Sequence, residues 1–411
     1  MLCNEQIVIF GLPKWEGDYQ KSTILLAKEL AKTNQVLYVD YPFTVLDCAR
    51  GVMGKPHIPN KNIFGLKKRL STIHSSESGG LYLFRLPPII PMNWVENEQK
   101  YESIARCNTK IILPSLRRTL RQIGFTQPII INAFLPGLGI PLKGQFNEKL
   151  LVYYCYDDIG NAPWLKKYGL NQECQFIKDI DLVVTTSSQL YKLKKWHAKD
   201  IDLVKNGVDF SLFEGVKLPD ILTLNEAGKK INIGYIGSLD TRIDLDLLCF
   251  LIKELPACQF SFVGRVVDKN IEYQLRRFPN VKIVGPQALD TLPAFIEQFD
   301  IGIIPFLKND LTKAIYPLKV NEYLARAKPV VSTDFADLSE FAQVIDICAS
   351  KETFLTALQH TLQTESHELK AQRKEIAQNN SWENRGKQLA KILNRKLMTK
   401  KRKELTENRI N

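Results

Sequence analysis

At 411 residues, 45% of them hydrophobic, the chain is long enough for two or three domains with full cores and too apolar for a disordered or low-complexity protein. Lys and Arg number 56 against 44 Asp and Glu, a formal charge of +12; the first 212 residues hold 27 basic and 19 acidic groups, the remainder 29 and 25. Such a bias expects an anionic contact on the first half, a lipid headgroup layer or an acidic polymer, while the lack of any run of about 18 apolar residues excludes a membrane-spanning helix.

The N-terminal apolar run Ile7 to Phe10 has neither a charged flank nor a small-residue cleavage site, so a cytoplasmic location is expected. Short Val-, Ile- and aromatic-rich runs then alternate with segments of helical period, the pattern of parallel strands with crossover helices. Strands are predicted at Gln6 to Gly11, Gln35 to Asp40, Leu81 to Leu86, Pro128 to Phe134, Leu150 to Tyr156, Asp181 to Thr186 and Ile201 to Lys205. The clearest helix is Ser22 to Lys32, with Asn34 placed where a left-handed C-terminal residue is common. Ala49 to Gly80, rich in Gly and Pro, reads as a mobile excursion. With Arg117, Arg118 and Arg121 beside Leu116, Leu120 and Ile123 it offers either a basic surface for an anionic membrane or a solvated helix face.

Residues 213–230 read as a linker, and a second series follows at Lys230 to Ile236, Gln259 to Val263, Val281 to Val284, Asp300 to Phe306, Pro329 to Thr333 and Val344 to Cys348. Helices are expected at Asp244 to Glu254, Leu289 to Gln298, Pro317 to Arg326, Glu365 to Gln378 and Trp382 to Arg395. The fold class is therefore α/β, two tandem Rossmann-like domains with a cleft between them. Residues 1–212 form the first and 231–380 the second. A helix over 381–395 is expected to pack back towards the first domain, and 396–411 form a basic tail that is solvated and frayed or drawn to a membrane surface.

The chemistry concentrates in Asp300 to Thr333. Pro317 opens a helix, and Lys319 and Glu322 fall on one face near its start. A lysine in a first turn opposes the helix dipole, at about 0.3 to 1 kcal/mol, unless an anion binds there; phosphate is the natural anion, and a carboxylate one turn on suits two vicinal hydroxyls. An exposed Lys/Glu pair is the bland alternative. Gly237 and Ser238 end the first strand of the second domain, where glycine lets backbone amides approach a diphosphate. Arg265, after the next strand, and its rival Arg242 are basic ligands for the same group, or solvated charges. In the first domain, Asp157 and Asp158 end a buried strand, where one orients or deprotonates a hydroxyl or caps the next helix. Gly11, Trp15 and Gln20 line the first strand-to-helix loop. The eight cysteines lie nine or more residues apart, which excludes C-x-x-C sites and suggests buried thiols; the five histidines match no metal or nucleophile spacing. No metal or cofactor is expected.

In order and spacing, GYIGS, LDLLCFLIKELPACQFSFVG, NVKIVGPQALDTLPAFIEQFDIGIIPF and YPLKVNEYLARAKPVVST resemble the nucleotide-sugar half of GT-B glycosyltransferases, bacterial teichuronic-acid and exopolysaccharide enzymes above all. The resemblance extends to WEGDYQ, to VYYCYDD, to the NGVD turn and to the SWENRGKQLAKIL helix. It implies metal-independent transfer of a hexose, with retention, from a UDP- or GDP-sugar to a glycan or polyprenyl-linked acceptor held by the first domain, in cell-surface polysaccharide synthesis. By resemblance, Glu322 holds the donor ribose, while Lys319 and Arg265 neutralise the diphosphate. Ala314 replaces the usual partner glutamate, leaving Asn309, Asp310 or Thr312 to contact the sugar, and Ala327 replaces a helix-ending glycine. A membrane contact at the inner face is expected, and nucleic acid is not. A nucleotide-sugar epimerase of the same fold and a non-catalytic glycan- or lipid-binding scaffold are the competing readings.

Overall fold

The computed structural model describes residues 2–16, 21–53, 68–92, 94–162, 165–214 and 230–410. The chain divides into two units, one of residues 1–205 with 385–411, the other of 206–384.

The first unit is built on an eight-stranded sheet: β1 (Gln6–Gly11), β2 (Gln35–Asp40), β3 (Leu70–Ser75), β4 (Gly80–Arg85), β5 (Ile129–Ala133), β6 (Leu150–Cys155), β7 (Leu182–Thr185) and β8 (Ile201–Leu203). Their order is β3-β4-β2-β1-β5-β6-β7-β8, parallel except for the antiparallel β3–β4 pair. Strands β1, β5 and β6 are buried nearly throughout, as a sheet covered on both faces requires, and this is why they read as unbroken apolar runs. The helix Ser22–Leu30 buries Ile24, Leu26, Ala27 and Leu30, one stripe of helical period.

Several expectations change here. Asn34 is not left-handed: it is buried, its amide donates to the carbonyls of Leu30 (2.9 Å) and Leu2 (3.3 Å), and its Oδ1 accepts from the Glu5 N–H. Within the expected excursion, Val45–Val52 is a helix and Leu70–Ser75 an edge strand, whereas Gly54, Pro56, Pro59, Gly65 and Lys67 lie outside the described residues. Arg117, Arg118 and Arg121 are solvated on the helix Glu98–Gln122, while Leu116 and Leu120, two of the three apolar residues expected beside them, are buried in the core. Four of the eight cysteines are buried, two partly so, and Cys3 and Cys107 are exposed.

The second unit is a six-stranded, fully parallel sheet of β9 (Asn232–Ile236), β10 (Gln259–Val263), β11 (Val281–Gly285), β12 (Ile301–Ile304), β13 (Val330–Thr333) and β14 (Asp346–Cys348), in the order β11-β10-β9-β12-β13-β14. Strand order reverses between β9 and β12, as it does between β1 and β5 in the first unit. Outside the carboxyl ends of such strand pairs the flanking loops part and leave room for a ligand.

The last helix, Trp382–Ile410, runs on through the basic stretch expected as a tail. Leu389, Leu393 and Leu397 are buried, while Arg395, Lys396 and Lys400 pair with Asp202 (2.5 Å), Asp200 (2.7 Å) and Asp181 (3.2 Å) of the first unit.

Candidate active site

At the β9/β12 reversal the chain turns sharply after β9. Gly237 has φ +129°, accessible to glycine alone at little cost, and its N–H donates to the Val263 carbonyl at 2.8 Å. Gly264 (φ +152°), after β10, is packed so closely that a Cβ there would lie 2.1 Å from the Gly237 carbonyl oxygen. The Leu239 N–H then donates to the Arg265 carbonyl at 2.9 Å, which ties the two loops together. The Tyr235 hydroxyl closes the turn by donating to the Ser238 carbonyl (3.0 Å).

Asp240 and Arg242 follow. The Arg242 Nε and Nη2 donate to the two Asp240 oxygens at 2.8 and 2.5 Å, and the Arg242 N–H also reaches Asp240 Oδ1. Burial works against the Asp240 charge, but these bonds prevail and hold its carboxyl below the usual range. The guanidinium carbon lies 5.4 Å from the Phe306 ring centre, and the Leu307 N–H donates to the Arg242 carbonyl, so the loops after β9 and β12 are joined. Asp244, beyond this loop, caps the helix Leu245–Glu254 by accepting from the Leu247 N–H.

Lys319 enters the same recess from the helix Leu318–Ala325, which Pro317 caps. Its Nζ lies 5.6 Å from the Tyr235 ring centre and 5.3 Å from that of Phe306. Burial and the neighbouring Arg242 charge lower its pKa to about 8, with Glu322 and Asp240 opposing them. The Glu322 carboxyl is raised by burial, against the pull of Lys319. Among the described residues neither the Lys319 ammonium nor the Glu322 carboxylate takes part in a hydrogen bond or an ion pair. Two recessed charged groups that attract each other at a distance but make no hydrogen bond are costly unless something polar completes them. The next residue, Tyr323, is wholly buried and fixes the helix to the sheet: its hydroxyl accepts from the Ile236 N–H at 2.9 Å.

Gly237, Ser238, Arg242, Lys319 and Glu322 are thus gathered at one end of one sheet, and Arg265 lies exposed on the adjoining loop. Asn309 and Thr312 have a structural task, a reciprocal capping box on the short helix Asp310–Lys313, and Thr312 is fully buried. Ala314 is buried too. Sequence reasoning missed Asp240, which orients Arg242; its spacing two residues before an arginine in a post-strand loop was the available signal.

The remaining candidates belong to the first unit. Asp158 is the helix cap: it accepts from the Gly160 N–H (3.1 Å) and from the Asn161 amide (2.9 Å). Asp157 Oδ1 accepts from the Asp158 N–H. Gly11 is needed for the close approach of Tyr38, whose hydroxyl oxygen would sit 1.9 Å from a Cβ. The Trp15 ring meets the Tyr38 ring edge-on at 5.3 Å, and the backbone N–H of Trp15 donates to Asp40 Oδ1 at 2.8 Å. Gln20 lies outside the described residues. No group of three His, Cys, Asp or Glu side chains able to hold a metal ion, and no helix long and apolar enough to cross a membrane, occurs among the described residues.

Residues 230–363, which contain all of the recess, match the model of the family Glycosyl transferases group 1. TuaH of Bacillus subtilis (strain 168), described as a teichuronic acid biosynthesis glycosyltransferase, is 28% identical over 218 residues, 49% of this chain and 55% of that protein. The chain therefore spans little more than half the length of that relative. Among solved structures, sucrose-phosphate synthase of Thermosynechococcus elongatus superposes with a TM-score of 0.69 at 16% identity, over 95% of this chain and 99% of that one. Anabaena HepE in complex with UDP-glucose gives 0.64 at 15% identity, again over 95% and 99%. These agree with the resemblance drawn from the motifs: residues 230–363 match a glycosyl transferases group 1 domain, and the chain has the GT-B fold.

Proposed function

We propose that the protein transfers a sugar from a nucleotide-sugar donor to a glycan or lipid-linked saccharide acceptor in cell-surface polysaccharide synthesis. The observation that carries this reading is the pair of recessed opposite charges, Lys319 and Glu322, neither of which makes a hydrogen bond or ion pair among the described residues, beside the Gly237 turn at the strand-order reversal of a domain matching group 1. Lys319 is suited to the donor diphosphate and Glu322 to the two ribose hydroxyls. Arg242, aligned by Asp240, and Arg265 add positive charge where the leaving group develops negative charge, so the transfer needs no divalent cation. Retention of anomeric configuration is carried over from the family resemblance. HepE was solved with UDP-glucose, which favours a uridine donor here, and TuaH is named for teichuronic acid biosynthesis, which favours a cell-envelope acceptor.

The reading is tested by titrating UDP and GDP into the protein calorimetrically, then assaying UDP-glucose turnover with and without EDTA. Binding of one nucleotide that is lost in Glu322→Ala and Lys319→Ala, with turnover insensitive to EDTA, is the expected result. Undiminished binding by both variants would remove the basis of the assignment. Epimerised sugar nucleotide formed without acceptor would replace it with the epimerase reading.

A further inference from the structure

We propose that Asn380 is a positioning residue of the donor recess: through Asn321 it fixes the rotation and height of the helix that carries Lys319 and Glu322. This rests on the transferase reading and names a residue on which the donor site depends without touching it.

The helix Leu318–Ala325 has little of its own to hold it. At eight residues it is too short to be stable alone, and its cap residue, Pro317, has no side-chain group to offer the free N–H donors of the first turn. Anchors on its sides must therefore decide where Lys319 and Glu322 stand. Tyr323 is one, bonded to the Ile236 N–H of β9. Asn321 is a second. It is fully buried, and by helical geometry it lies about 200° round the axis from Lys319 and about 100° from Glu322, away from the recess.

The Asn321 amide bonds on both sides. Its Oδ1 accepts from Asn380 Nδ2 at 2.9 Å, and its Nδ2 donates to the Tyr316 hydroxyl at 3.1 Å. Tyr316 belongs to the segment leading into the helix, so one side chain ties the entry, the helix and Asn380 together. Apolar packing tolerates small rotations of a helix. A buried amide pair does not, because a turned helix would strand a buried donor and acceptor.

Asn380 is a firm anchor because its backbone is held as well. It follows the helix His367–Asn379, where its N–H donates to the Ile376 carbonyl (2.9 Å), and its own carbonyl accepts from the Val208 N–H (3.0 Å). The Val208 carbonyl in turn accepts from the Trp382 N–H (3.0 Å). Gly207 permits this crossing, since a Cβ there would lie 2.9 Å from the Asn380 carbonyl oxygen. Two turns earlier on the same helix, buried Arg373 donates from Nε to the Val344 carbonyl at 3.1 Å and reaches the Ala327 carbonyl at 3.5 Å. The helix bearing the donor charges is thus gripped at its middle and beyond its end by one element, and a shift of Asn380 is a shift of those charges.

Full-length wild type, Asn380→Ala, Tyr316→Phe and Leu275→Ala, labelled with carbon-13 lysine, test the proposal by NMR titration without nucleotide and by calorimetry with UDP. Lys319→Met assigns the Lys319 resonance. In wild type Lys319 should titrate at about pH 8. In Asn380→Ala that midpoint should rise by about half a pH unit or more as the ammonium moves towards water, and UDP should bind about fivefold or more weakly. Tyr316→Phe, which deletes one hydroxyl, should move both in the same direction by less, and it decides the matter if Asn380→Ala does not fold. Leu275→Ala, a cavity on the helix Lys269–Leu275 of the same unit, should lower stability and move neither. An unchanged Lys319 midpoint and UDP affinity in Asn380→Ala and Tyr316→Phe would overturn the proposal, as would equal weakening of UDP by Leu275→Ala. A wild type that failed to bind UDP would instead remove the transferase reading, while the Lys319 titration would still read the anchor.

Discussion

Gly237 and Lys319 occupy adjoining space: a Cβ built on Gly237 would stand 2.3 Å from Lys319 Cε and 2.9 Å from its Nζ. The glycine therefore serves both the backbone, whose φ of +129° an L side chain resists, and the lysine, which reaches the recess over it. Gly237→Ala should displace the ammonium, weaken UDP at least tenfold, and cost roughly 1–3 kcal/mol of stability through backbone strain. Calorimetric titration with denaturant unfolding checks both; unchanged UDP affinity would detach Lys319 from the nucleotide.

Donor binding should depend on pH through the same lysine. With its pKa lowered to about 8, Lys319 loses charge as the pH passes that value, and UDP affinity should fall towards tenfold per unit at higher pH. Glu322, raised by burial, recovers its proton earlier on acidification than an ordinary glutamate, so affinity should also decline on the acid side. Stability without nucleotide moves the other way on the alkaline limb. The folded Lys319 pKa lies below the unfolded value of 10.5, so the unfolded chain binds more protons between about 8 and 10.5, and this group's contribution to stability rises with pH there. A UDP affinity that stayed flat from pH 7 to 9.5 would contradict this account.

The buried Lys319 charge should be visible as a trade between stability and binding. Lys319→Met keeps the stem between Tyr235 and Phe306 and discards the ammonium. Thermal unfolding without ligand should shift upward, by roughly 1–3 kcal/mol, while UDP no longer protects. A destabilised variant would mean that Lys319 has an internal partner after all.

Ala327 closes the helix Leu318–Ala325 in a left-handed conformation, φ +54°, with its N–H on the Leu324 carbonyl (2.8 Å) and that of Lys328 on the Tyr323 carbonyl (3.0 Å). This is a Schellman end, where glycine avoids the Cβ penalty. Ala327→Gly should stabilise the protein by about 1 kcal/mol, seen as a higher urea midpoint at unchanged slope, without altering UDP affinity.

Along the last helix two substitutions separate packing from charge. Leu393 is fully buried, so Leu393→Ala should cost roughly 2–5 kcal/mol. Lys396, 2.7 Å from Asp200 but partly solvated, should cost about 1 kcal/mol or less on replacement by alanine, and that loss should shrink in high salt. Equal losses would mean that the ion pairs, not the leucines, hold the helix.

Strands covered on both faces were the most legible part of the sequence. Gln35–Asp40 and Gln259–Val263 have the predicted ends, because continuous Val, Ile and aromatic runs leave little freedom in placing them. Leu70–Ser75 escaped detection since it is an edge strand with four of six residues exposed, and LSTIHS carries no buried period. Asn34 misled by residue type: besides the nearby Leu30 carbonyl, its side chain bonds Leu2 and Glu5, partners about thirty residues away that no local window contains. The continuation beyond Lys396 packs through Leu397 and meets Asp181 through Lys400, partners that lie far away in sequence. In the recess, the Lys319/Glu322 spacing and the glycine turn were readable as motifs. The aromatic walls from Tyr235 and Phe306 arise only when β9 and β12 become neighbours, whereas the alignment of Arg242 by Asp240 is a contact between residues two apart whose spacing was overlooked.

The late return of the chain to its first unit also has a bearing on biosynthesis. Leu389, Leu393 and Leu397 fill a seat whose other walls end at Lys205, so nascent polypeptide must carry that seat unfilled while the whole second unit is translated. At bacterial or eukaryotic elongation rates that interval is on the order of 10 to 40 s, long enough for chaperone capture or misassociation, and a stalled ribosome short of Arg385 would release a chain with half its architecture unable to close.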